Sequence, residues 1–177
     1  ATVLAAGLVP SVSYADVAFN AGVVTDYRYR GISQTRLKPA LQGGLDYAHP
    51  SGFYVGAWAS SIKWVKDGGG DGNMELDLYA GVKFGVGEGT LDTGVTWYMY
   101  PSGADETDFA ELYAKLSGSV GPVSLTAGVA YAPKQEALGN VCSDAACTIF
   151  NPGDKEDNLY VWADVSGAIP NTPVSLK

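Results

Sequence analysis

The chain has one histidine and two cysteines among its 177 residues, and each shortage closes a class of function. Nucleophilic catalysis needs a base within hydrogen-bond reach and a group to orient it. His49 is the only imidazole, and in His49-Pro50-Ser51-Gly52 it reads as a turn residue, so no enzyme is expected. A structural metal site needs more ligands than Cys142 and Cys147 supply, and no His lies near them. No cofactor is expected either. Basic residues are scarce, with 11 Lys and Arg against 19 Asp and Glu, a net charge of −8. A nucleic-acid partner is therefore not expected, because no basic patch exists to neutralise phosphates. Long hydrophobic runs are also missing from the body of the chain, where nothing approaches the roughly 18 apolar residues of a membrane helix.

What is present favours strands. Glycine is abundant (23 residues) and aromatics reach 11%, mostly tyrosine. Segments rich in Val, Leu, Tyr and Gly predict strands over 17–30, 39–48, 53–65, 74–86, 90–100, 108–118, 122–132 and 158–168. Most of these are longer than the roughly five or six residues of a usual globular strand. They suit the ~9–11 residues of a tilted membrane strand.

The connections alternate between tight and long. Tight turns are expected at 49–52, 87–89, 118–122 and 169–173, and longer polar loops at 31–38, 66–73, 101–107 and 134–157. An outer-membrane barrel sorts its loops this way, short on the periplasmic side and long outside, whereas a soluble sandwich has no reason to. Acidic residues gather in the long set, among them Asp67, Asp71, Asp105, Glu106, Asp144, Asp154 and Glu156.

Alternation by two gives each strand two faces. Over 74–86 one face reads Met74, Leu76, Leu78, Ala80, Val82, Phe84 and Val86, and the other Glu75, Asp77, Tyr79, Gly81, Lys83 and Gly85. Over 53–65 both faces are largely apolar, so its inward face stays open. A charge facing hydrocarbon costs about 2–4 kcal/mol near the midplane, so lipid should take the aliphatic faces. The interior then receives Asn20, Asp26, Arg28, Arg30, Glu75, Asp77, Lys83, Asp92, Glu111, Lys115 and Asp164. These groups either line a water-filled path or pair into a packed ionic interior, as small barrels of about eight strands do.

Three local features complete the reading. Residues 1–15 open on an apolar run, and Ser13-Tyr14-Ala15 precedes Asp16 as a small-x-small site, as at the tail of a secretory signal peptide. In an exported protein, Cys142 and Cys147 are expected to form a local disulfide within loop 134–157. Asp67-Gly-Gly-Gly-Asp71-Gly-Asn73 suggests calcium but lacks the closing bidentate Glu of a helix–loop–helix site, so it reads as a hairpin loop.

The run Val24-Thr-Asp-Tyr-Arg-Tyr-Arg-Gly-Ile-Ser-Gln-Thr35, followed by Pro39-Ala-Leu-Gln-Gly-Gly-Leu-Asp-Tyr47 and Ser51-Gly-Phe-Tyr-Val-Gly-Ala-Trp-Ala-Ser60, resembles the TorF family of predicted porins, also known as the Gcw_chp domain. Glu75-Leu-Asp-Leu-Tyr-Ala-Gly81 and Asp108-Phe-Ala-Glu-Leu-Tyr113 look like its later blocks. The resemblance spans roughly residues 20–165 and is most specific at Tyr29 to Thr35. It implies an exported β-barrel of the proteobacterial outer membrane and names no solute.

The expectation is thus an all-β, antiparallel, up-and-down transmembrane β-barrel over 16–177, with about eight strands of a probable ten to twelve and an incomplete C-terminus. Its partners would be outer-membrane lipid and small hydrophilic solutes diffusing passively. The alternatives are a structural or adhesive barrel with a plugged interior, acting through its external loops, and a secreted soluble sandwich.

Overall fold

The computed structural model describes residues 16–67, 71–103, 107–139, 155–168 and 175–176. The proposed signal-peptide remnant, Cys142 and Cys147 lie outside them. In chain order the elements are β1 (Asp16–Val24), β2 (Arg28–Tyr29), β3 (Ile32–Ser33), β4 (Ala40–Ala48), β5 (Phe53–Ser61), α1 (Trp64–Asp67), β6 (Met74–Val86), β7 (Gly89–Met99), β8 (Phe109–Val120), β9 (Val123–Gln135), α2 (Glu136–Gly139), β10 (Glu156–Ala168) and β11 (Ser175–Leu176). The fold class is all-β. One antiparallel sheet takes the order β1-β4-β5-β6-β7-β8-β9-β10-β11, so each strand pairs with its neighbour in sequence, and β2-β3 forms a separate small hairpin.

Between β1 and β10 the connections keep their parity, and the turn expected at 169–173 lies outside the described residues. The strand ends meet across 49–52, 87–88 and 121–122 on one side, and across 25–39, 62–73, 100–108 and 136–155 on the other. Gly87 and Gly121 open the two-residue turns at φ of +60° and +58°, a region glycine enters without steric cost.

Two predicted strands end early. The first stops at Val24 rather than continuing to Arg30, because Arg30 and Gly31 both take positive φ and turn Arg28–Ser33 into the β2-β3 hairpin. Asp26 secures this turn by accepting from Ser33 Oγ at 2.5 Å and Thr35 Oγ1 at 3.1 Å. The strand predicted over 53–65 stops at Ser61 and passes into α1. There Ile62 N–H donates to Asn73 O, and Lys63 N–H to Gln34 O, both at 2.9 Å, which ties this end of β5 to the hairpin segment.

The sheet is not closed. β1 pairs with β4, β10 pairs with β9 and β11, and no ladder joins the two edges among the described residues. It does curl. A single cavity of about 1050 Å³ touches every long strand, from Ala18 on β1 to Asp164 on β10.

Burial runs opposite to that of a water-soluble domain. Phe19 is 78% exposed, Val161 68% and Leu112 58%, whereas Glu75 is 1% exposed and Asp92 and Glu111 3% each. The convex face is a continuous apolar sheath, and the concave face holds the charges. The inward face of β5, open from sequence, is Tyr54, Gly56, Trp58 and Ser60, since Phe53 and Val55 are the exposed set. A small apolar core lies at the long-loop end, where Ile62, Val65 and Tyr100 pack with Tyr27, Trp64, Tyr98 and Phe109.

Candidate functional site

The concave face is built from cross-strand rows. In one row Lys83, Asp92 and Lys115 stand directly opposite one another on β6, β7 and β8. Opposite charges at such positions attract. Lys115 Nζ lies 3.2 Å from Asp92 Oδ2, and Tyr54 donates its hydroxyl to Asp92 Oδ1 at 2.5 Å. Lys83 Nζ sits 4.8 Å from the centre of the Tyr54 ring, a cation–π contact.

The next row pairs aromatics with glycines. Tyr54, Gly81, Gly94 and Tyr113 follow one another across β5 to β8. A Cβ on Gly81 would overlap the Tyr54 ring, and one on Gly94 the Tyr113 ring. The absent side chains let the two rings lie flat on the sheet, and their hydroxyls hydrogen-bond to each other above it. The device recurs at Gly56 beneath Tyr79 and at Gly128 beneath the Trp162 indole. Tyr79 then donates to Asp46 Oδ1 at 2.5 Å.

The β2-β3 hairpin folds over the long-loop end. Arg30 carries its charge inward, donating from Nη2 to both carboxylate oxygens of Glu111 on β8 and from Nη1 to Asn158 on β10 at 3.2 Å. Its guanidinium lies between rings, 4.7 Å from the centre of Tyr29 and 4.2 Å from that of Tyr160. Tyr27 donates to Glu75 Oε1 at 2.5 Å and meets Trp58 edge-on at 5.3 Å. Burial, ahead of the Glu75 charge beside it, raises the Tyr27 hydroxyl pKa above its ordinary value. Outside the strands, the Ser33 hydroxyl, aided by Thr35 and Arg28, holds the Asp26 carboxyl below the usual range.

Of the residues singled out from sequence, Arg28, Arg30, Lys83, Asp92, Glu111, Lys115 and Asp164 line the cavity. Glu75 and Asp77 lie on the same face but deeper, near the hairpin and α1, and are not on the cavity wall. Asp77 is 9% exposed, and its Oδ1 has no hydrogen-bond partner among the described residues. Asp26 faces the hairpin rather than the cavity and pairs with the exposed Arg28 at 2.7 Å. Sequence reasoning missed Asp46 and left the face of Tyr54 open; Tyr79, on the polar face of 74–86, joins Tyr54, Tyr113, Tyr160 and Trp162 in an aromatic wall. The available signal was the glycine at i+2 or on the paired strand, visible in Tyr54-Val-Gly56 and Tyr79-Ala-Gly81.

Four cations and four carboxylates line the cavity: Arg28, Arg30, Lys83 and Lys115 against Asp46, Asp92, Glu111 and Asp164. Among the described residues no three His, Cys, Asp or Glu side chains cluster as a metal site. No helix among them is long and apolar enough to cross a membrane, which says nothing of strands. Such a wall can offer hydrogen bonds of both polarities and aromatic faces to a solute, with little net charge.

A family model described as a bacterial protein of unknown function, Gcw_chp, matches residues 10–177. No curated protein and no solved structure matches the chain.

Proposed function

We propose that this chain, which belongs to the Gcw_chp family, is an outer-membrane β-barrel porin that lets small hydrophilic solutes diffuse passively through its polar interior. The observation that supports this most is the inverted burial, with large apolar side chains outside and carboxylates within. In water, that sheath would leave apolar surface exposed at about 25 cal/mol per Å², while the same atoms are at home against lipid tails. The loop parity and the strands of nine to thirteen residues fit a tilted crossing of the hydrocarbon layer. A membrane barrel must pair both sheet edges, so the edge of β1 and the edge of β10 beyond its short ladder with β11 call for further pairing in the assembled protein.

The test is conductance of the purified, detergent-extracted protein in a planar bilayer under conditions where a known porin conducts. Steady current steps are expected, and a silent protein that has demonstrably inserted counts against transport. Extraction as a stable monomer without detergent would remove the membrane reading altogether.

One observation favours a second reading. The β2-β3 hairpin and the cluster around Ile62, Val65 and Tyr100 fill the long-loop end of the trough. A barrel plugged in this way would be structural or adhesive and act through its external loops. Deletion of 138–152 would then abolish surface binding and leave permeability unchanged.

A further inference from the structure

We propose that Trp162, with Tyr160 beside it, forms a binding platform for the ring of a neutral sugar. The proposal rests on the transport reading above and names its solute class. Both residues lie on the cavity wall two positions apart on β10, with ring centres 5.6 Å apart and planes within 17° of parallel. Trp162 is seated directly on Gly128, where any side chain would overlap the indole. The indole is thus seated against the sheet while Trp162 lines the cavity.

The groups beside the platform complete the match. Arg30 stands over Tyr160, 4.2 Å from the ring centre, and Asp164 lines the cavity two residues past Trp162 on the same face. A pyranose presents a patch of C–H bonds on its face and hydroxyls around its rim. The face suits an indole, and the rim suits a guanidinium at one end and a carboxylate at the other.

The charge balance selects among hydrophilic solutes. With four cations facing four carboxylates, a permanent ion gains at one group what it loses at the next. A cationic ligand seeking tyrosine faces meets competition, because Arg30, Lys83 and Lys115 already stand over rings of Tyr160, Tyr54 and Tyr113. A cavity of about 1050 Å³ is of the size that holds one small molecule with water.

The experiment is current block of the full chain in a planar bilayer bathed in potassium chloride. Absence of any current from inserted protein overturns the transport reading, and this inference falls with it. Given a current, glucose should reduce it in a saturable way, and sorbitol and gluconate, which lack the pyranose face, should need about tenfold higher concentration for half-block. Trp162→Ala should raise the half-blocking glucose concentration about tenfold, measured as a fraction of that variant's own open current, and Trp162→Phe should recover most of the block. A conducting channel that ignores glucose, or that glucose and sorbitol block equally, overturns the sugar platform and leaves the transport reading standing. This wild-type contrast decides the matter even if Trp162→Ala fails to insert.

Discussion

Arg30 Nη2 donates to both carboxylate oxygens of Glu111 at 2.7 Å, joining the tip of the β2-β3 hairpin to the middle of the sheet across 81 positions of sequence. Glu111 is 3% exposed and the Arg30 side chain 19%, so the pair is largely withdrawn from water. Deleting one partner of such a pair strands a buried charge, which typically costs about 3–5 kcal/mol. Arg30→Met should therefore destabilise the fold markedly, whereas Arg30→Met combined with Glu111→Leu should recover most of the loss. The urea midpoint of heat-modifiable gel migration measures both. If the hairpin obstructs the long-loop end, Arg30→Met should also raise single-channel conductance, and an unchanged conductance would mean that solutes pass elsewhere.

The glycines of β6 provide an internal contrast. A Cβ at Gly81 would meet the Tyr54 ring and the Thr93 carbonyl oxygen, while one at Gly85, on the same face, meets nothing within 4 Å. Gly81→Ala should cost about 1–3 kcal/mol by pushing Tyr54 off Asp92, as overpacking does. Gly85→Ala should be neutral or slightly stabilising, since glycine in a strand interior is itself unfavourable. Equal effects at the two positions would show that the tyrosine does not lie where Gly81 leaves room for it.

Much of this architecture was legible because β6 and β8 differ sharply in polarity between their faces. Leu76 and Leu78 against Glu75 and Asp77 divide β6 into an apolar and a charged face, and the charged face is the buried one. The same rule went blind at β5, because its inward residues are Tyr54, Gly56 and Trp58, which look apolar by type. Their inward role comes from partners elsewhere in the fold: Asp92 for the Tyr54 hydroxyl, the Tyr79 ring above Gly56 and Tyr27 beside Trp58. The overrun of the first strand has a similar cause. Val24 to Arg30 has strand-like composition, and the fold-back is decided by the Arg30-Gly31 turn and by Glu111, far away in sequence. The cross-strand logic of Lys83, Asp92 and Lys115 was likewise invisible until the register set them in one row.

The hairpin should loosen in acid in a defined direction. Ser33, then Thr35 and Arg28, favour the ionised Asp26 carboxyl, so its folded pKa lies below its unfolded one. A group shifted this way contributes stability that is fully present above the unfolded pKa and is lost as pH falls through the folded value. Ser33→Ala removes the leading cause, so the stabilisation becomes smaller and its loss is complete at a higher pH. Hydrogen exchange of the Tyr27 amide, which donates to Thr35 Oγ1 at 3.2 Å, reports the change locally. An acid profile identical in Ser33→Ala and wild type would mean that Asp26 does not hold the hairpin.

Substitution on the convex face separates lipid from water more directly than any change within. Leu78 is 42% exposed and Val161 68%, and both lie near the middle of long strands. In a soluble protein, Leu78→Arg and Val161→Arg would each fall within about 0.5 kcal/mol of neutral, because an exposed side chain exchanges one watery setting for another. In a bilayer the same changes place a guanidinium against hydrocarbon, at about 2–4 kcal/mol near the midplane and less toward the interfaces. Folding efficiency into vesicles should therefore fall for both variants, and more steeply than for Val120→Arg at the turn end of β8, where Val120 is 70% exposed. Depth dependence is the decisive part, since a sheath that met only water would treat all three positions alike.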